Sequence, residues 1–127
     1  MNPGEIDAWA RAYIEAQVRG SSRDDTDPLW PYVLRLMPNS SDWVGPDNAW
    51  SIILAVLALQ PGAEVTGVLA AGPLEDLIHY HGIEYIERIE AEARQNPAFR
   101  HLLGGVWQSG PKDVWERIEV ARRGIVW

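Results

Sequence analysis

Leu69-Ala70-Ala71-Gly72-Pro73-Leu74-Glu75-Asp76-Leu77-Ile78-His79-Tyr80-His81-Gly82 reads as the end of one helix joined to the start of the next. Gly72 suits the left-handed residue that closes a helix, and Pro73 suits a first helical position, where its missing N–H has no partner to lose. Glu75 and Asp76 then put negative charge in the first turn, where the helix dipole favours it. Leu74, Leu77 and Ile78 form an apolar stripe, and Gly82 supplies the next stop. The stretch predicts two helices meeting at a sharp corner, with two carboxylates and two histidines beside it.

Helical period extends outward in both directions. Ile6, Trp9, Ala10, Tyr13, Ile14 and Val18 recur at three- and four-residue steps, predicting a helix over about 4–18 that Gly20-Ser21-Ser22 ends. Asp27-Pro28 starts a short helix through Leu36, with Pro31 tolerated in its first turn. Gly45-Pro46-Asp47 repeats the start signal before Ala49 to Leu59, which is apolar all round and reads as the central helix of the fold. Ala63 to Ala71 forms a helix that leads into the corner. Beyond it Ile83, Ile86, Ile89 and Ala93 make a stripe, backed by four-residue pairs from Glu84 to Arg88 and from Glu90 to Arg94. Asn96-Pro97 starts a helix carrying Phe99, Leu102 and Leu103 and closed by Gly104-Gly105. Ser109-Gly110-Pro111 opens the last, with Val114, Trp115, Ile118 and Ala121 inward. The fold class is all-α: a multi-helix bundle or short array of stacked helical hairpins, with about seven helices in one domain over residues 1–127.

Composition narrows the function classes. Apolar residues are 46% and charged residues 23%, a globular balance. There is no cysteine, hence no disulfide framework or thiolate metal site. No basic-plus-apolar leader opens the sequence, and the longest apolar run falls well short of the ~20 residues that span a bilayer. The expected location is the cytoplasm. The net charge of −7, with Lys112 the single lysine, disfavours nucleic acid and suits a basic protein partner. No basic amphipathic helix points to a membrane surface.

Chemistry is thinner. Asp76 and His79 share a helical face, but His79 and His81 lie two apart and diverge by about 200° on an ideal helix. A single Asp-x-x-His lacks the further ligands of a di-iron or zinc site, so neither a metal nor a cofactor is expected. The serines sit where turns and caps explain them, with Ser51 the exception inside the apolar helix. The seven tryptophans say more. Trp9, Trp50 and Trp115 fall on inward stripes, whereas Trp30, Trp43, Trp107 and Trp127 lie at helix edges or in loops. Trp30 and Trp43 with Asp24, Asp25, Asp27 and Asp42 form a candidate acidic, aromatic face for a protein partner. Glu75, Asp76, His79 and His81 form a candidate polar site.

The chain also resembles an uncharacterised bacterial family of small proteins of unknown function. The residues that carry the likeness are the Leu69–Leu77 core, His81-Gly82, Gly105-Val106-Trp107 followed by Val114-Trp115, and the Pro46–Trp50 segment. The resemblance covers roughly residues 45–120 and implies a small bacterial domain, with no catalytic residues to carry over.

The leading expectation is a non-enzymatic, acidic helical domain that binds another protein, with an immunity or defence-accessory role as one version. Two readings compete. One is a small metal-dependent or acid/base hydrolase centred on Glu75, Asp76, His79 and His81. The other is a homo-oligomeric structural protein in which Trp127 and the Ile125-Val126 tail pack against a twin.

Overall fold

A computed structural model describes residues 1–19 and 26–127. These form α1 (Pro3–Arg19), α2 (Trp30–Leu34), α3 (Pro46–Ala58), α4 (Ala63–Leu69), a π turn (Ala70–Leu74), α5 (Glu75–Gln95), α6 (Pro97–Leu103) and α7 (Lys112–Ala121), and no strand occurs among them. The all-α expectation holds. Because α4, the π turn and α5 follow one another without a gap, the helical segments make six rods. The expected stop at Gly20-Ser21-Ser22 lies outside the described residues.

Contacts gather into two units, residues 1–66 and 67–127. In the first, α1 begins with a reciprocal cap: the Glu5 N–H donates to Asn2 Oδ1 at 2.8 Å, and the Asn2 backbone N–H donates to Glu5 Oε1 at 3.1 Å. Trp9, Ala10, Tyr13 and Ala16 form its buried stripe, as the sequence period requires. The Trp9 indole N–H donates to the Tyr32 carbonyl at 3.0 Å, so α2 is held by a polar bond as well as by ring packing. The Arg35 guanidinium lies 4.9 Å from the Trp9 ring on the way to the Asp42 carbonyl. The second helix starts later than Asp27-Pro28 suggests. Asp27 accepts the Leu29 N–H at 2.9 Å, so its side chain shapes a turn ahead of Trp30.

Gly45, at φ 89°, turns the chain into Pro46 and α3. Ile52, Ile53 and Val56 are fully buried and join the α1–α3 contact that organises this unit. The helix is not enclosed on all sides, however. Ser51 and Ala58 are exposed, and Leu54 and Ala55 half-exposed, so the small residues form a solvent-facing stripe at steps of three and four.

The sharpest departure from expectation is at the corner. Gly72 is not in the left-handed region, and no helix ends there. The chain instead widens into a π turn around Pro73. A proline inside a regular helix loses one backbone bond and presses on the carbonyl four residues back. The wider turn makes room for that ring, and burial of Ala70, Pro73 and Leu74 holds it in place. The bend falls later, at His81 (φ −134°, ψ 19°). Gly82 is not a stop but a buried point of close approach: a Cβ there would sit 2.9 Å from Val114 Cγ1 of α7. The register after the bend turns Ile83 outward and gives Ile78, Gly82, Tyr85, Ile86, Ile89 and Ala93 the inner face.

α6 begins as read, with the Asn96 side chain accepting the Phe99 N–H at 3.3 Å and Pro97 in the first turn. Phe99, Leu102 and Leu103 are completely buried. Glu90 is bridged by Arg117 of α7, whose Nε donates at 2.9 Å, so the carboxylate ties two helices together. After α7 the chain turns through Gly124 (φ 76°) and returns to the end of α6. There the Trp127 N–H donates to the Gly104 carbonyl at 3.0 Å, and its indole N–H to the His101 carbonyl at 2.9 Å.

Candidate functional site

The acidic, aromatic face expected around Trp30 and Trp43 is dispersed. Asp27 is 7% exposed, bonded to Leu29 and 3.4 Å from Arg19, so its charge serves the local turn. Asp42 is exposed, and its carbonyl rather than its carboxylate meets Arg35. Trp30 and Trp43 are half-buried. Asp24 and Asp25 lie outside the described residues.

Glu75, Asp76, His79 and His81 have separate surroundings. Glu75 Oε1 accepts the Trp107 N–H at 3.0 Å and so fixes the loop between α6 and α7. The His79 ring meets the Ser109 hydroxyl at 3.1 Å, and the His81 ring meets Glu84 at 3.2 Å. Burial, then the neighbouring Glu75 charge, raise the Asp76 carboxyl above its ordinary value, against the pull of His79. That direction is opposite to what a helix N-terminus would do, and the reason is the corner itself. With α4 running into α5 through the π turn, no fresh N-terminal dipole faces these carboxylates. Among the described residues, no three His, Cys, Asp or Glu side chains gather into a metal-binding group.

A different place combines burial, charge and exposed aromatic surface. A cleft of about 470 Å³ lies between the α6–α7 loop, α7 and the returning C-terminal segment. That size is in the range of pockets for small ligands or single side chains. Trp115 and Arg122 line it from α7 and are 6% and 8% exposed, whereas Trp107, Val126 and Trp127 at its margin are 78%, 65% and 52% exposed. Two glycines give the cleft its shape. A Cβ on Gly105 would lie 2.6 Å from the Trp127 ring, and one on Gly104 would lie 2.6 Å from Ile125 Cγ2. Only backbone this bare lets the indole lie flat against the end of α6. The reading of these residues as a helix boundary is therefore incomplete: they are also the seat of the tail.

Arg122 is the unusual group. Its guanidinium stands 5.1 Å from the centre of the Trp115 ring, and Nη1 makes a long 3.4 Å bond to the Val106 carbonyl. Its buried Nε has no hydrogen-bond partner, and among the described residues no carboxylate pairs with it. Most buried arginines are matched by an acid, because an unmatched buried cation is costly. Glu119 borders the same cleft one turn earlier but is exposed. Arg122 is not among the residues that the sequence singles out. The one signal for it is its place on the stripe Trp115, Ile118, Arg122, at steps of three and four.

A family model described as a family of unknown function (DUF6869) matches residues 19–126. The chain belongs to this family. The DUF6869 match takes in α2 to α7, including the 69–82 stretch and nearly all of the cleft, and leaves α1 almost wholly outside it. It is longer at both ends than the 45–120 span of the sequence resemblance. No curated protein and no solved structure matches this DUF6869 chain. No helix among the described residues is long and apolar enough to cross a membrane.

Proposed function

We propose that this protein is a non-catalytic recognition module that binds a basic protein partner through the aromatic margin of the second unit. The observation that carries the reading is Trp107, a large ring 78% exposed beside a cleft with two further tryptophans. Exposed tryptophan next to a concavity is the kind of residue that dominates binding energy in protein interfaces. The net charge of −7 supplies long-range attraction for a basic partner, raising encounter rates at low salt. An immunity or defence-accessory role, in which the module neutralises a basic protein encoded beside its own gene, is the specific version this charge favours.

The test is a binding titration of purified protein against the basic proteins encoded next to its gene, at low and high salt. One of them should form a complex that weakens with salt, and Trp107→Ala should cost that complex at least ~30-fold in Kd, the scale of a hot-spot residue. A complex that Trp107→Ala leaves intact, or the lack of any salt-sensitive complex, would overturn the proposal.

A further inference from the structure

We infer that the Arg122 cleft is a binding site for a single carboxylate carried on an aromatic or large apolar body. The argument starts from the guanidinium. Arginine offers five N–H donors in a planar fork suited to two carboxylate oxygens at once. Here one long bond to the Val106 carbonyl uses little of that capacity, and Nε is buried with no acceptor. The Trp115 ring and the carbonyl end of α7, which Arg122 caps, offset part of the cation's lost hydration without neutralising it. A bound carboxylate completes both charge and hydrogen bonding.

The surroundings choose among anions. One buried cation balances one negative charge, and Glu119 at the border opposes a doubly charged phosphate. The indoles of Trp107, Trp115 and Trp127 leave the rest of the cleft suited to a ring or a branched apolar group. Such a carboxylate has two sources: a free aromatic acid, or the C-terminal residue of a partner polypeptide. The second source rests on the interaction reading above, and the first does not.

The probes are N-acetylphenylalanine and its uncharged amide, together with a six-residue peptide ending in phenylalanine, as free acid and as amide. Titrations are followed by the indole N–H resonances of the protein. Both acids should shift the Trp107 and Trp127 signals, and each should bind at least tenfold more tightly than its amide. Arg122→Gln should bring the acid down to the level of the amide. Arg122→Met serves as the second variant. It should melt no lower than the wild type, because it replaces an unmatched buried charge by an apolar chain of similar length, and it should lose acid binding all the same.

Equal binding of acid and amide would overturn the inference. So would unaltered acid binding in Arg122→Gln, or inorganic phosphate competing as well as the acid. Tighter binding of the peptide acid than of the free acid assigns the site to a chain end, and the reverse assigns it to a small molecule. If a protein partner is lost in Trp107→Ala but kept in Arg122→Gln, with no acid bound, this inference falls while the interaction proposal stands. Acid binding without any protein partner upholds this inference and removes the interaction proposal.

Discussion

The two units are built on different principles. In the first, position is set by side chains: the Trp9 indole reaches Tyr32, Arg35 covers Trp9, and Ile52, Ile53 and Val56 fill the interior beside α1. In the second, position is set as much by side chains that are missing. Gly82 admits Val114, Gly110 lets the loop before α7 pass the Ile78 carbonyl, and Gly105 carries Trp127. A core of interlocking side chains can relax around a modest change, whereas a backbone-on-ring or backbone-on-backbone contact has nowhere to move. The unit with the bare contacts is also the one with the buried unmatched cation and the most exposed tryptophan, so tolerance and recognition are unevenly distributed along the chain.

The largest effect should come from removing volume in the first unit. Ile53→Ala is expected to cost roughly 2–5 kcal/mol and Ile53→Val only about 0.5–1.5, both read from urea unfolding midpoints. Equal costs for the two would mean that this interior does not relax in the way just described.

Adding a single methyl group in the second unit should rival that deletion. Gly110 has φ 75°, and a Cβ there would lie 2.9 Å from the Ile78 carbonyl oxygen. Left-handed strain and the clash together predict a loss of roughly 2–4 kcal/mol for Gly110→Ala. Gly105→Ala should be milder, about 1–3 kcal/mol, because the returning segment can lift away. Its marker is faster hydrogen exchange at the Trp127 indole N–H. A Gly105→Ala protein with that proton still protected would contradict the seating of the ring.

Smaller effects distinguish two carboxylates of the second unit by sign. Asp76 titrates above its ordinary 3.8 in the folded state, so the native protein loses stability as pH rises through that interval. Asp76→Asn should therefore raise the unfolding midpoint at pH 7 and have no effect below about pH 3.5. Glu90 is held below its ordinary 4.5 by its bond to Arg117, so its contribution is present above 4.5 and fades as pH falls through the lowered value. Glu90→Gln should lower the midpoint slightly at pH 7 and flatten the acid limb. Effects of the same sign would refute the assigned causes. The smallest change is expected for Trp107→Ala, whose stability should stay within about 0.5 kcal/mol of the wild type, leaving its binding defect interpretable.

What could be read from sequence, and what could not, follows the same division. Elements whose signals are local came through: the Asn96-Pro97 start, the Gly45-Pro46 start and the buried stripe of α1. The Gly72-Pro73 pair carries equally strong local signals and misleads, because burial of Ala70 and Leu74 favours a helix that widens over one that stops. Gly82 misleads for a related reason: a glycine that ends a helix and one that admits a neighbour look identical in one dimension. The candidate polar site is visible as a cluster in sequence, but its side chains meet partners such as Trp107 and Ser109, some thirty residues away. The cleft depends on the return of the C-terminal segment onto Gly104-Gly105, a long-range closure that no periodicity announces. Within it, only the helical spacing from Trp115 to Arg122 leaves a trace.

The π turn has a consequence for how sequences of this family align. A turn of that kind holds one residue more than the α-helical turn it replaces, so it shifts the angular phase of everything downstream by about 100°. Deleting any one residue between 70 and 74 would restore an unbroken phase and swing Leu77 and Ile78 out of the interior. A relative with a one-residue gap at this point should therefore carry its apolar stripe one position later, and the gap and the moved stripe should occur together.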